Sequence, residues 1–93
     1  MKKTIWKYAV LIQDTQKIEM PKGAKLLTVQ VQRGIAFIWA MVNPMNTEVE
    51  RIIKMVGTGH DLSEQIMGDY IGTFQINNEW GGLVFHVFDG GEK

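Results

Sequence analysis

The chain has 93 residues, 45% of them hydrophobic, and its ten basic residues balance ten acidic ones. That length suits one domain with its own core and leaves no room for a second. The balanced charge leaves no global field to attract nucleic acid, which counts against a general DNA-binding protein though not against a local basic pocket, and the lack of cysteine excludes disulfides and thiolate metal sites.

With two histidines and no carboxylates at suitable spacing, neither a metal nor a cofactor is expected. The opening "MKKTIWKYAVLIQDTQ" places basic residues before an apolar stretch, but Lys7 interrupts it and no small-residue cleavage site follows. It does not read as a signal peptide. No apolar run approaches the ~20 residues needed to cross a bilayer, so no membrane partner is expected.

From the first residues onward the dominant period is two, with turn residues about every ten positions. Ile5 to Ile12 reads as a first strand and Lys17 to Met20 as a short second one. Pro21-Lys22-Gly23 then turns the chain, proline fixing φ and glycine finishing the turn. Lys25 to Gln32 alternates cleanly, with Leu27, Val29 and Val31 on one face and Thr28, Gln30 and Gln32 on the other. Arg33-Gly34 is a predicted hairpin turn.

Ile35 to Val42 is apolar on both faces, which asks for burial on both sides, by the fold or by another subunit. Asn43-Pro44 ends it. Val49 to Val56 carries Glu50, Arg51 and Lys54, as an edge strand tolerates. In Asp61 to Gly68 one helical turn is predicted, capped by Asp61 and closed by Gly68. Tyr70 to Ile76 returns to strand, with Tyr70, Phe74 and Ile76 on one side and Gly72 leaving room. After the turn "NNEWGG", Leu83 to Phe88 is the last strand, and residues 90–93 read as a loose tail. The expected fold is an all-β domain over residues 1–93. It is a small barrel or sandwich of six to seven mostly antiparallel strands with at most one short helical turn. The two-faced apolar strands predict a homo-oligomer.

Several blocks, in this order and spacing, carry a resemblance: "IWKY", "MPKGAKLLTVQVQ", "GTGH", "YIGTFQ" and "GLVFHVF". Together they resemble a family of small, mostly uncharacterised proteins encoded by bacteriophages and prophages. The resemblance covers nearly the whole chain, is weakest at 46–50 and in "DLSEQIMGD", and includes no catalytic motif. It implies a phage origin and a compact β fold but no activity; the absence of cysteine makes a reducing cytosol, the host cytoplasm, the expected location. Some phage proteins of this size are oligomeric sponges that sequester nucleotide second messengers of host defence, an analogy by origin and size.

The candidate binding residues are Gly57, Thr58, Gly59 and His60, with Arg33 and Trp80. Consecutive N–H groups in a glycine loop can form a nest for phosphate, and Thr58 and His60 add donors. The plainer reading of the same loop is a tight turn. Arg33, at a hairpin tip, can pair bidentately with phosphate or simply be solvated; Lys22 and Lys25 flank a turn in the same way. The nine aromatics mostly alternate with strand period, which places them in the core, whereas Trp80 stands in a turn and suits binding or subunit contact. His60 and His86 are the candidate bases, with Asp61, Glu64, Asp69 and Asp89 as carboxylates. Their spacing fixes no nucleophile, base and orienter together, so no catalytic residue is assigned. The expectation is a non-catalytic protein that sequesters a small anionic ligand, a signalling nucleotide of host immunity being the best candidate. The alternative is an interaction module for a host protein, or an accessory or structural phage subunit.

Overall fold

A computed structural model describes residues 2–62, 65–78 and 81–93. Seven strands run along them: β1 (Thr4–Val10), β2 (Thr15–Pro21), β3 (Lys25–Gln32), β4 (Ile35–Val42), β5 (Glu48–Gly57), β6 (Asp69–Asn78) and β7 (Gly81–Glu92). They form a three-stranded sheet in the order β1-β4-β3 and a four-stranded sheet in the order β2-β5-β7-β6. Every pairing is antiparallel. The architecture is an all-β sandwich, not a closed barrel. The described residues contain no helix, hence none long and apolar enough to cross a membrane.

Alternation on β4 decides which way the sheets face. Ala36, Ile38, Ala40 and Val42 are buried. Ile38 joins Val10, Val29, Ile53, Met55, Phe74 and Val87 in the main core. Ala40 and Val42 join Met20 and Ala24 in a smaller cluster, and Ile18 and Leu26 touch both. The other four side chains of β4, Ile35, Phe37, Trp39 and Met41, point away from this core and stay partly or largely exposed. Two-faced apolarity therefore leads to one buried face and one open face.

Three pairings carry a register shift, and two of these set side-chain directions in β3 and β6 that a strict period of two misses. Register shifts between Leu26 and Thr28 of β3, so the core residues there are Leu26, Val29 and Val31 rather than Leu27, Val29 and Val31. A second shift between Tyr70 and Gly72 separates Tyr70, which is 60% exposed and packs edge-on against Phe88, from the buried Phe74. Gly72 does leave room: a Cβ there would stand 3.0 Å from Val29 Cγ1, which brings β6 up against β3.

Other expectations need correction. β1 ends at Val10, and the next residues turn, with the Gln16 amide exchanging two hydrogen bonds with the Leu11 backbone at 2.8 and 3.0 Å. β5 is an inner strand between β2 and β7, not an edge. Its Arg51 turns inward, the one buried charged side chain among the described residues. The guanidinium grips Asp89 through Nε at 2.9 Å and Nη2 at 2.7 Å and donates to the Ala24 carbonyl at 2.7 Å. Residues 90–92 are not a loose tail but the end of β7, and the Lys93 N–H donates to the Glu50 carbonyl at 2.9 Å. The helical turn expected over Asp61 to Gly68 includes Ser63 and Glu64, which lie outside the described residues; beside them the Gln65 N–H donates to the Leu62 carbonyl at 3.0 Å.

Burial pushes the Asp89 carboxyl up, but the Arg51 bonds and the Gly91 N–H outweigh it and hold Asp89 below the usual carboxylate range. A depressed native value means the stabilisation is complete above the unfolded pKa of about 4 and fades as pH falls through the native one. Asp89→Asn is therefore expected to be less stable than the parent at neutral pH. Urea unfolding across pH should show the gap narrowing steadily below about pH 4.

Candidate functional site

The Gly57–His60 loop leaves the end of β5, where Gly57 still pairs with Phe85 of β7. The Thr58 N–H donates to the Val84 carbonyl at 3.2 Å, and the His60 N–H donates back to the Gly57 carbonyl at 3.3 Å. Two of the N–H groups that a phosphate nest would need are thus spent on carbonyls. Gly59 takes a φ of +93°, a backbone that only glycine adopts easily, and allows this reversal. The His60 ring lies over Gly57, where a Cβ would stand 3.5 Å from its Cε1 and Nε2.

Thr58 ties the loop to the sheet. Its Oγ1 lies 2.8 Å from His86 Nε2, His86 Nδ1 lies 2.9 Å from Thr73 Oγ1, and Thr73 Oγ1 lies 2.6 Å from the Tyr70 hydroxyl. Hydroxyls donate or accept, so this chain satisfies either tautomer of His86. The loop borders a groove of about 320 Å³ lined with Gly82, Leu83, Val84 and Phe85, and no lysine or arginine lines it. Its hydrogen bonds account for its residues as a pinned turn.

Arg33 stands apart from that loop. With a φ of 52° it is the one non-glycine residue with positive φ among those described, followed by Gly34 at 79°. This is the two-residue hairpin whose mirror-image turn favours Asn-Gly; arginine there is strained. The Arg33 side chain borders a groove of about 650 Å³ with Lys7, Gln32, Ile35 and Phe37, on the open face of the three-stranded sheet. Lys7 Nζ donates to Gln32 Oε1 at 3.0 Å and sits 4.5 Å from the centre of the Phe37 ring. Phe37 meets Trp39 edge-on at 6.1 Å. Two cations, an amide and an aromatic ring thus converge in a space of the size that small ligands occupy, and no carboxylate lines it.

Farther along the same face, Lys3, Lys22 and Lys25 border a second groove of about 230 Å³ with Met41, Asn43 and Asn46. The Lys22 backbone is held there by its N–H to the Thr47 carbonyl at 2.8 Å and by Asn46 Nδ2 donating to its carbonyl at 2.9 Å.

A family profile for a domain of unknown function, DUF7352, matches residues 1–93. The chain belongs to the DUF7352 family. No curated protein and no solved structure matches it. Family membership assigns no chemistry, so the reading of this DUF7352 domain rests on its own geometry.

Of the residues singled out from sequence, Gly57, Thr58, Gly59 and His60 lie together, Arg33 lies on the other sheet, and Trp80 falls outside the described residues. Lys7, Gln32 and Phe37 join Arg33 without having been singled out as its partners. Their signal is in the register: Ala9 and Gln30 flank Phe37, and Lys7 and Thr28 flank Trp39, on the same face.

Thr58→Val keeps the shape and removes the hydroxyl that meets His86. A net loss of about 0.5–1.5 kcal/mol is expected. At roughly 4–8 °C per kcal/mol, thermal unfolding should show a midpoint lower by several degrees.

Proposed function

We propose that this DUF7352 domain is a binding protein without catalysis, and that its ligand is a small anion carrying an aromatic base and phosphate. The observation that carries this is the groove where Lys7, Arg33, Gln32 and Phe37 meet. Arg33 offers a planar fork for phosphate oxygens and Phe37 a face for a base. Lys7 now rests over that ring; an arriving base would take its place and release the ammonium towards phosphate. In the phage setting that the sequence resemblance implies, such a protein would remove a nucleotide signal of host defence by holding it.

The strain at Arg33 supports the same reading. A left-handed backbone costs an ordinary residue of order 1 kcal/mol, and strain of this kind gathers at functional positions. Asparagine would fit this turn better. Arg33→Asn is therefore expected to raise stability by up to about 1 kcal/mol while removing nucleotide affinity.

A thermal-shift panel of linear and cyclic nucleotides tests both halves. A ligand at 100 times its dissociation constant adds about 2.7 kcal/mol, a rise of ten degrees or more for a domain this size. No shift with any nucleotide would overturn the reading.

A second reading is self-association through the same face, favoured by Ile5 and Ile35, which are 54% and 50% exposed. Sedimentation velocity separates the two. A monomer at all concentrations with a nucleotide shift supports the first reading, and a dimer dispersed by Trp39→Lys supports the second.

A further inference from the structure

The overall charge is zero, but the charges are sorted along the chain. Residues 1–13 and 20–47 contain Lys2, Lys3, Lys7, Lys22, Lys25 and Arg33 and no aspartate or glutamate. Every strand of the three-stranded sheet falls within those segments. All ten carboxylates lie in residues 14–19 and 48–92, which supply the four-stranded sheet and its connections. The sandwich therefore has one sheet with no acidic residue, and its outer face is the open face of β4.

On that face the rows read across the sheet. Ala9, Phe37 and Gln30 form one, Lys7, Trp39 and Thr28 the next, and Ile5, Met41 and Lys25 the third. An apolar stripe with two aromatic rings thus runs down the middle strand, flanked by Ile5, Lys7 and Ala9 on one side and by Lys25, Thr28 and Gln30 on the other. The groove with Lys7 and Arg33 lies at one end, the groove with Lys3, Lys22 and Lys25 at the other. Glu92 reaches the second end, but its Oε2 is engaged by the Gly23 N–H at 2.6 Å and lies 3.8 Å from Arg51 Nη1. Ile35 to Met41 covers roughly 20 Å at about 3.3 Å per residue.

We infer that this face is a track for a single-stranded nucleic acid, with bases stacked on Phe37 and Trp39 and phosphates held by the cations of both grooves. The inference rests on the binding reading above and extends it from a nucleotide to a strand. Charge complementarity and the aromatic stripe argue for it together: stacking on a sheet face serves any base, and cations at both ends serve a backbone that continues past one residue. A duplex keeps its bases stacked on each other and offers no free base face to Phe37 or Trp39.

Fluorescence anisotropy with the full chain tests this, using labelled oligo(dT) and oligo(U) of 4, 8 and 12 nucleotides, a 12-base-pair duplex, and labelled mononucleotides. Affinity is expected to rise from mononucleotide to oligomer and to favour single strands over duplex. The slope of log affinity against log salt should steepen towards a limit of about −3.5, at about −0.7 for each of five neutralised phosphates. Lys25→Ala, at the groove remote from Arg33, should weaken oligomers and flatten that slope by about 0.7 while leaving mononucleotides unchanged. Trp39→Ala should weaken oligomers by roughly 5- to 150-fold. Because Trp39→Ala risks the fold, Lys25→Ala is the deciding variant. Oligomers bound no better than mononucleotides, an unaffected Lys25→Ala, or a duplex bound equally well would overturn the track while the nucleotide reading stands. Binding of neither class overturns both.

Discussion

The structure depends on the alternation of β4. Its even-numbered side chains, Ala36, Ile38, Ala40 and Val42, close the sandwich, and two alanines among them let the sheets approach. Because a strand has two faces, that choice sends Ile35, Phe37, Trp39 and Met41 to the outside. The open apolar stripe is the geometric counterpart of the core, and a one-residue slip would exchange the two. The hairpin at Arg33-Gly34 fixes the register on one side and the unbroken ladder with β1 on the other.

A second constraint is electrostatic. Burying Arg51 is tolerable only because Asp89 meets it twice and Ala24 supplies a carbonyl. This joins the middle of the four-stranded sheet to the turn that leads into the three-stranded one. It also draws carboxylates towards one sheet, with Glu92 3.8 Å from the same guanidinium. Arg51 thereby accounts for two of the carboxylates on the acid-bearing sheet, Asp89 and Glu92, and a net charge of zero hides how unevenly the rest are placed.

The all-β class and the turns at Pro21-Lys22-Gly23 and Arg33-Gly34 are legible from spacing and glycine placement. The central position of β5 is not, because charges inside a strand look the same whether they face water or a buried partner. The bulges near Leu27 and Ile71 are equally silent, and each turns a neighbouring side chain away from the face that alternation assigns it. At the site, Arg33 stands out as a hairpin tip, but Phe37 and Trp39 pass for core because their strand is apolar throughout. Nor does a count of glycines in "GTGH" show that the N–H groups of Thr58 and His60 are already engaged.

The strand order carries a consequence for how the chain is made. β7 follows the other six strands in sequence, yet it lies between β5 and β6 and supplies both Val87 to the core and Asp89 to Arg51. Until β7 has left the ribosome, β5 and β6 have no strand to join them and Arg51 no counter-ion. The four-stranded sheet assembles only after its latest-made strand emerges. A chain cut short before β7 would therefore leave β5 and β6 unjoined, with the buried position of Arg51 lacking its carboxylate.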